Sequence, residues 1–237
     1  MTEQKDKTRF SIVIPVIDES ETIRPLLESL RQQARIEQCQ IIVVDGDPNG
    51  STLQVIDDPA VTQLTSARGR GLQMNRGAEE ARGDILVFLH VDTRLPPGSL
   101  SLIDRTLEDP RYVAGAFNLQ IASARPVLKL IARTANLRSR VTRVPYGDQA
   151  IFIDRDYFVR MGRFREIPIM EEVDLLRRIR RNGDHICILR EAVLTSPRRW
   201  EAEGPLYTTL RNQLLILLFG LGIKPEKLAQ LYRSTGT

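Results

Sequence analysis

Three short runs constrain this chain more than anything else in it. FSIVIPV (10–16), QIIVVDG (40–46) and DILVFLH (84–90) are almost continuously apolar and rich in β-branched residues. They are the length of strands buried on both faces and too short for core helices. VTQLTS (61–66) is a weaker fourth run. Helical patterns separate them. The first begins at Glu21, with Ser20 as the expected cap, and runs through LLESLRQQ; Pro25 is tolerated in its first turns. The turn-rich DGDPNGS (45–51) leads to a short helix, GLQMNRGAEEA (71–81) reads as a helix with Gly83 as its C-cap, and Pro96-Pro97-Gly98 opens another that reaches about Glu108. Alternation of this kind predicts a parallel sheet with helices on both faces.

The second half is less regular. Strands are expected at 112–121, 149–155 and 185–190, and helices at 171–183 and 206–220. A length of 237 residues fits one domain, and no linker interrupts it. Two cysteines, Cys39 and Cys187, build neither a zinc site nor a disulfide framework. The longest apolar run, Leu214–Ile223, is half of the roughly 20 residues a spanning helix needs, and the polar start MTEQKDKTR is not a secretory signal. A cytoplasmic protein is expected.

The net charge of +4 is a weak argument for nucleic acid, and none is expected as a partner. The distribution says more. No acid occurs between Asp109 and Asp148, where Arg125, Lys129, Arg133, Arg138, Arg140 and Arg143 do. As a helix, 125–143 places Val127, Leu128, Leu130, Ile131, Ala135, Leu137 and Val141 on one broad face and all those basic residues but Arg138 opposite. Two readings follow: a helix packed on the sheet with a solvated basic face, or one lying on an anionic membrane.

No G-x-G-x-x-G follows the first strand, and no P-loop or G-x-S-x-G elbow is present. With two histidines, His90 and His185, a Ser-His-Asp hydrolase has little to work with, and His185 reads as structural at the start of a buried strand. Open α/β sheets bind ligands beyond the carboxyl ends of their strands. Asp45 ends the second strand, and His90 and Asp92 end the strongest one in FLHVDT (88–93). A carboxylate there either accepts bonds from a ribose or base, or caps the following turn. A His-x-Asp pair either holds a divalent ion or contains a structural histidine. Glu171, Glu172 and Asp174 begin a helix whose later turns carry Arg177, Arg178, Arg180 and Arg181. Dipole complementarity accounts for that pattern, unless the acids face the rim that holds Asp45 and Asp92.

The order of these motifs resembles the family 2 glycosyltransferases, nucleotide-sugar enzymes of the GT-A fold. SIVIPVIDES (11–20), VVDGDPNGST (43–52), ARGDILVFLHVDT (81–93) and MEEVDLLRRIRR (170–181) match the opening strand, the nucleotide-binding strand end, the D-x-D segment and the catalytic-acid segment in turn. A bacterial subgroup with FLHxDT, G-D-Q and R-R-W is the most similar; here these are 88–93, YGDQA (146–150) and PRRWE (197–201). The resemblance implies a mostly parallel α/β sheet with a nucleotide half (about 9–110) and an acceptor half (about 111–237). It implies inverting, metal-dependent transfer from a UDP-sugar to a hydroxyl, on a lipid or lipid-linked acceptor if the membrane reading holds. Pro15, Glu19, Asp45, Arg70 and His90 would hold the nucleotide sugar. Asp92, with His90, would hold Mn²⁺ or Mg²⁺. Glu172 would be the base, with Glu171 or Asp174 as alternatives. Asp148, Gln149, Arg199 and Trp200 would lie near the diphosphate or acceptor. A nucleotidyltransferase and a non-catalytic nucleotide-sugar binder are the competing classes.

Overall fold

The computed structural model describes residues 8–234. Eight strands form one sheet: β1 (Phe10–Val16), β2 (Cys39–Asp45), β3 (Val61–Thr65), β4 (Ile85–Phe88), β5 (Thr93–Arg94), β6 (Tyr112–Ile121), β7 (Ile151–Asp154) and β8 (His185–Thr195). Their order is β3-β2-β1-β4-β7-β6-β8-β5. The first half is parallel, as the strand–helix alternation predicts: β1 pairs with β2 and β4, and β2 with β3. β7 then runs antiparallel to both β4 and β6, while β8 lies parallel to β6. One reversal therefore brings the start of β7 to the rim where β1, β2, β4, β6 and β8 end.

Side chains alternate across this sheet. Phe10, Ile12 and Ile14 face one core with Val43, Val87 and Phe152; Val13 faces the other with Ile42, Val44, Leu86 and Phe88. Apolar residues on both faces are what a doubly covered sheet requires. The first core takes Ile23, Leu26, Leu27 and Leu30 from α1 (Ser20–Arg31), residues of α3 (Ser99–Glu108), and Leu128 and Ile131 from α4 (Pro126–Thr142). The second takes residues of α2 (Arg70–Glu79), α5 (Arg155–Arg160) and α6 (Glu171–Arg181). The C-terminal part adds α7 (Arg198–Glu203), α8 (Pro205–Gly220) and α9 (Pro225–Ser234).

Several local expectations are corrected. Ser20 is the first residue of α1 and Glu19 the cap, with no side-chain capping bond. Gly83 does not cap α2, which ends at Glu79 with Glu80 as C-cap. Gly83 instead packs on β1, where an added Cβ would stand 2.5 Å from the Phe10 carbonyl carbon. His185 is exposed at the start of β8. β8 runs five residues past the expected 190. On α4, Leu130, Leu137 and Val141 do not share the buried face of Leu128 and Ile131: they are 60–74% exposed. Arg138, the exception on the basic face, stacks on Tyr146 at 3.4 Å and donates to the Val144 carbonyl.

Candidate active site

The rim is built from loops that the strands hold in place. Asp45, at the end of β2, is completely buried; its two oxygens accept the backbone N–H groups of Asp47 and Thr52, both at 2.9 Å. As placed, it shapes the 45–52 loop at the end of β2. Thr52 passes the order on, its hydroxyl accepting from the Glu19 N–H. Buried Gln73 donates to the carbonyls of Val16 and Val44, tying α2 to the ends of β1 and β2. Pro15 lies beyond the β1–β4 ladder, which stops at Val13, so its missing N–H costs no bond to β4.

Helices α2 and α6 meet at their first turns. Asn75 exchanges two hydrogen bonds with the backbone of Phe164, fixing the segment that leads into α6. Gly71 lets the turns approach: a Cβ there would be 2.9 Å from the Arg165 carbonyl oxygen and 3.4 Å from the Glu171 Cβ. Met170, the residue before Glu171, has φ 71°, and Asp18 and Ala150, beside Glu19 and Gln149, have φ 52° and 49°. They are three of six non-glycine residues with left-handed backbone among the described residues, the others being Arg35, Arg143 and Arg163.

This docking sets Glu172 beside His90 and Arg70. Its Oε1 lies 3.7 Å from His90 Nε2 and 3.9 Å from an Arg70 guanidinium nitrogen. Both distances exceed a hydrogen bond, and Oε1, although buried, has no hydrogen-bond partner among the described residues. Burial pushes the Glu172 carboxyl upward, but His90 and Arg70 outweigh it and hold the group below the usual glutamate range. Its neighbour Glu171 goes the other way, raised by burial and by the Glu172 charge. Two adjacent carboxyls thus differ in protonation near neutral pH, a pattern that separates a base from a neutral neighbour.

Asp174, the third acid of the cluster, is not part of this group. It accepts from Arg178 at 2.8 Å and Arg165 at 3.2 Å. Arg178 also donates to the carbonyls of Met161 and Arg163, so the pair fastens α6 to the preceding loop.

The YGDQA turn meets the same rim because β7 starts there. Gly147 abuts the Glu172 carboxylate, and a Cβ on it would stand 2.7 Å from His90 Nε2. Asp148 is raised by burial; Asp92 adds to that, and His90, Arg138 and Arg199 oppose it. Gln149 is 1% exposed and spends its amide internally, donating to the Phe117 carbonyl and accepting from Ser139 and the Tyr146 N–H. It holds the turn together with these three bonds. At the other side of the rim, Glu19 pairs with Arg198 at 2.7 Å. The motif pointed to Arg199 and Trp200 and not to Arg198; adjacent helical residues point about 100° apart, and nothing in R-R-W says which arginine meets Glu19. Arg199 is exposed, and Trp200 is half-buried against the first core.

Asp92 follows β4 and lines a cleft with Thr22, Pro25, Ser196 and Arg198. Among the described residues, no three His, Cys, Asp or Glu side chains converge as a metal cage. Asp92 is a single carboxylate that would suit a divalent ion shared with substrate phosphates. His90, the other residue expected at the metal, has its Nε2 3.7 Å from Glu172 Oε1.

Residues 11–165 match the profile of Glycosyl transferase family 2. The chain belongs to that family. Its sheet is that of the GT-A glycosyltransferases. The mannosyltransferase PcManGT from Pyrobaculum calidifontis, solved with GDP-Man and Mn²⁺, superposes with a TM-score of 0.63 at 18% identity, over 78% of this chain and 56% of that one. TarS 1-349 from S. aureus, solved with UDP, gives a TM-score of 0.64 at 17% identity, over 86% and 63%. The uncharacterized glycosyltransferase YfnE of Bacillus subtilis is 33% identical over 86 residues, 34% of this chain and 22% of YfnE. An uncharacterized protein of Mycobacterium tuberculosis is 33% identical over 116 residues, 44% of this chain and 34% of that protein. The chain thus spans about a third or less of the curated relatives it matches. Family membership sets the nucleotidyltransferase reading aside.

Proposed function

We propose that this family 2 member transfers a sugar from a nucleotide-diphosphate sugar, a UDP-sugar first among them, to an acceptor hydroxyl with inversion at the anomeric carbon. The observation that carries the reading is Glu172 Oε1: buried, unbonded among the described residues, and kept ionised by His90 and Arg70. Such an oxygen is placed to take the proton of an attacking hydroxyl. One base and direct displacement give inversion. Arg70 stands half-exposed at the mouth, where it can also meet the leaving diphosphate. Glu19, fixed by Arg198 and Thr52, and Asp45, which orders the 45–52 loop, would hold the nucleotide. Asp148, which feels the charges of Asp92 and Arg199, would lie toward the diphosphate or acceptor.

Asp92 would hold Mn²⁺ or Mg²⁺. When bound, such an ion supplies Lewis-acid stabilisation of the departing diphosphate. The neighbour solved with Mn²⁺ supports a divalent ion for this fold. An acceptor presented at an anionic membrane, met by the 125–143 segment, belongs to the same proposal.

The test pairs binding with turnover. Nucleotide sugars are screened by thermal shift with and without Mn²⁺, and the stabilising donor is then assayed for transfer. A metal-dependent shift that Asp92→Asn abolishes, with transfer lost in Glu172→Gln, is expected. Full transfer by Glu172→Gln removes Glu172 as the base, and a shift unchanged in Asp92→Asn removes Asp92 as the metal ligand.

A further inference from the structure

We propose that α8 is a bilayer-docking element, and that α8 and the outward stripe of α4 form one face for an anionic lipid surface. This rests on the membrane contact proposed for the 125–143 segment and carries it to a second helix. On α8 and its C-cap residue Leu221, Leu206, Leu210, Leu214, Leu217 and Leu221 recur at intervals of four, four, three and four residues, and all are 53–72% exposed. That spacing is one helical stripe. The opposite side packs inward through Thr208, Arg211 and Leu215. On α4, which touches α8, Leu130, Leu137 and Val141 form a second stripe pointing away from the core. Apolar exposure concentrated this way marks an interaction surface.

The charges choose the occupant. No Asp or Glu lies between Asp109 and Asp148 or between Glu203 and Glu226, so both helices are free of acid. Lys129, Arg133 and Arg140 flank the α4 stripe and are exposed. Beside the last turn of α8, Arg177, Arg180 and Arg181 line a groove of about 340 Å³ with Gly220, and Arg177 stacks on Phe219. Three guanidinium groups in one groove fit phosphate oxygens, and acid-free leucine stripes bordered by the basic residues of α4 and by the α6 arginines at the end of α8 fit an anionic interface. A second copy of the chain would set the same basic set against itself across a two-fold axis, which is repulsive. Among the described residues no helix is long and apolar enough to cross a membrane, so the contact is one of lying on the surface.

The experiment is co-sedimentation of the full chain with vesicles of phosphatidylcholine alone or mixed with phosphatidylglycerol, at low and high salt. Binding to the anionic vesicles, weakened by salt, is expected. The double variant Leu210→Glu/Leu217→Glu changes only exposed positions and is expected to lower the bound fraction about tenfold, with circular dichroism and the donor-induced thermal shift unchanged. Arg133→Glu/Arg140→Glu probes α4 separately. No pelleting at low salt overturns both this inference and the α4 contact. Loss in the α4 variant with full binding by the α8 variant overturns the inference about α8 and leaves the α4 contact standing. A wild-type dimer in solution that the leucine variant converts to monomer makes a second copy the occupant and overturns the proposal.

Discussion

Gly147 lies directly against the carboxylate of Glu172, so closely that no other residue fits there without moving it. A Cβ at this position would collide with Glu172 Oε1 and stand 2.7 Å from His90 Nε2. The glycine is the wall that fixes where the carboxylate rests. Gly147→Ala displaces the carboxylate by part of an ångström while leaving both apolar cores untouched. A misplacement of that size in a reacting group costs about 10²-fold in rate. The expected result is a kcat lowered to that extent with donor KM nearly unchanged and a native circular dichroism spectrum. An equal fall in donor binding would instead place Gly147 against the nucleotide.

The two adjacent glutamates are expected to respond in opposite ways to the same change. Glu172 is held ionised, so Glu172→Gln removes the proton acceptor and lowers kcat by about 10²–10⁴-fold. Glu171 is raised by burial and by Glu172, so it already carries a proton over much of the neutral range. Glu171→Gln then replaces one neutral group by another of the same shape, and activity near pH 7 stays within about threefold of the parent. Steady-state kinetics on both variants decides; the reverse ranking would make Glu171 the base.

Glu171 also predicts a pH dependence of stability. Its folded pKa is raised, so in the window between the unfolded value, about 4.3, and the raised folded one, the unfolded chain releases this proton first. With fewer protons bound to the unfolded state, stability falls as pH rises through that window. Glu171→Gln removes this loss. The melting temperature of the variant should match the parent near pH 4 and exceed it increasingly toward pH 8, by about 2–4 °C for each kcal/mol of lost repulsion and desolvation. A constant difference across pH would show that the group does not titrate in this window.

Much of the fold was legible because short β-branched runs have few alternatives. Val13, Ile42 and Leu86 could only be buried, and the alternation around them fixes a parallel half-sheet. The antiparallel entry of β7 was not legible: IFID carries no mark of direction, and that reversal alone brings Gly147 to the rim beside His90. Glu172 and Arg70 were readable from motif order, yet their meeting depends on the Asn75–Phe164 bonds, which join positions 89 residues apart. Asp174 shows the limit. Its place beside Glu172 suggested a shared role, but two residues along a helix turn a side chain by about 200°, away from the Glu172 group and onto Arg178. The exposure of Leu130 was hidden for a related reason: periodicity finds apolar stripes and does not say which of two the core covers.

Gln149 offers the sharpest contrast between a role implied by motif order and one implied by packing. A glutamine facing the acceptor would alter KM when truncated and leave stability alone. The buried Gln149 instead joins three elements: the Phe117 carbonyl of β6, the Ser139 hydroxyl of α4 and the Tyr146 N–H that opens the turn. Gln149→Ala strands all three polar groups away from water, at about 1–3 kcal/mol for a buried group left unpaired, with partial relief by rearrangement. The expected loss is about 2–4 kcal/mol, read as a lower urea midpoint with an unchanged slope. Because the same turn carries Gly147 and Asp148, kcat should fall with stability while donor-induced stabilisation persists. Unchanged stability with a raised acceptor KM would return Gln149 to the acceptor site.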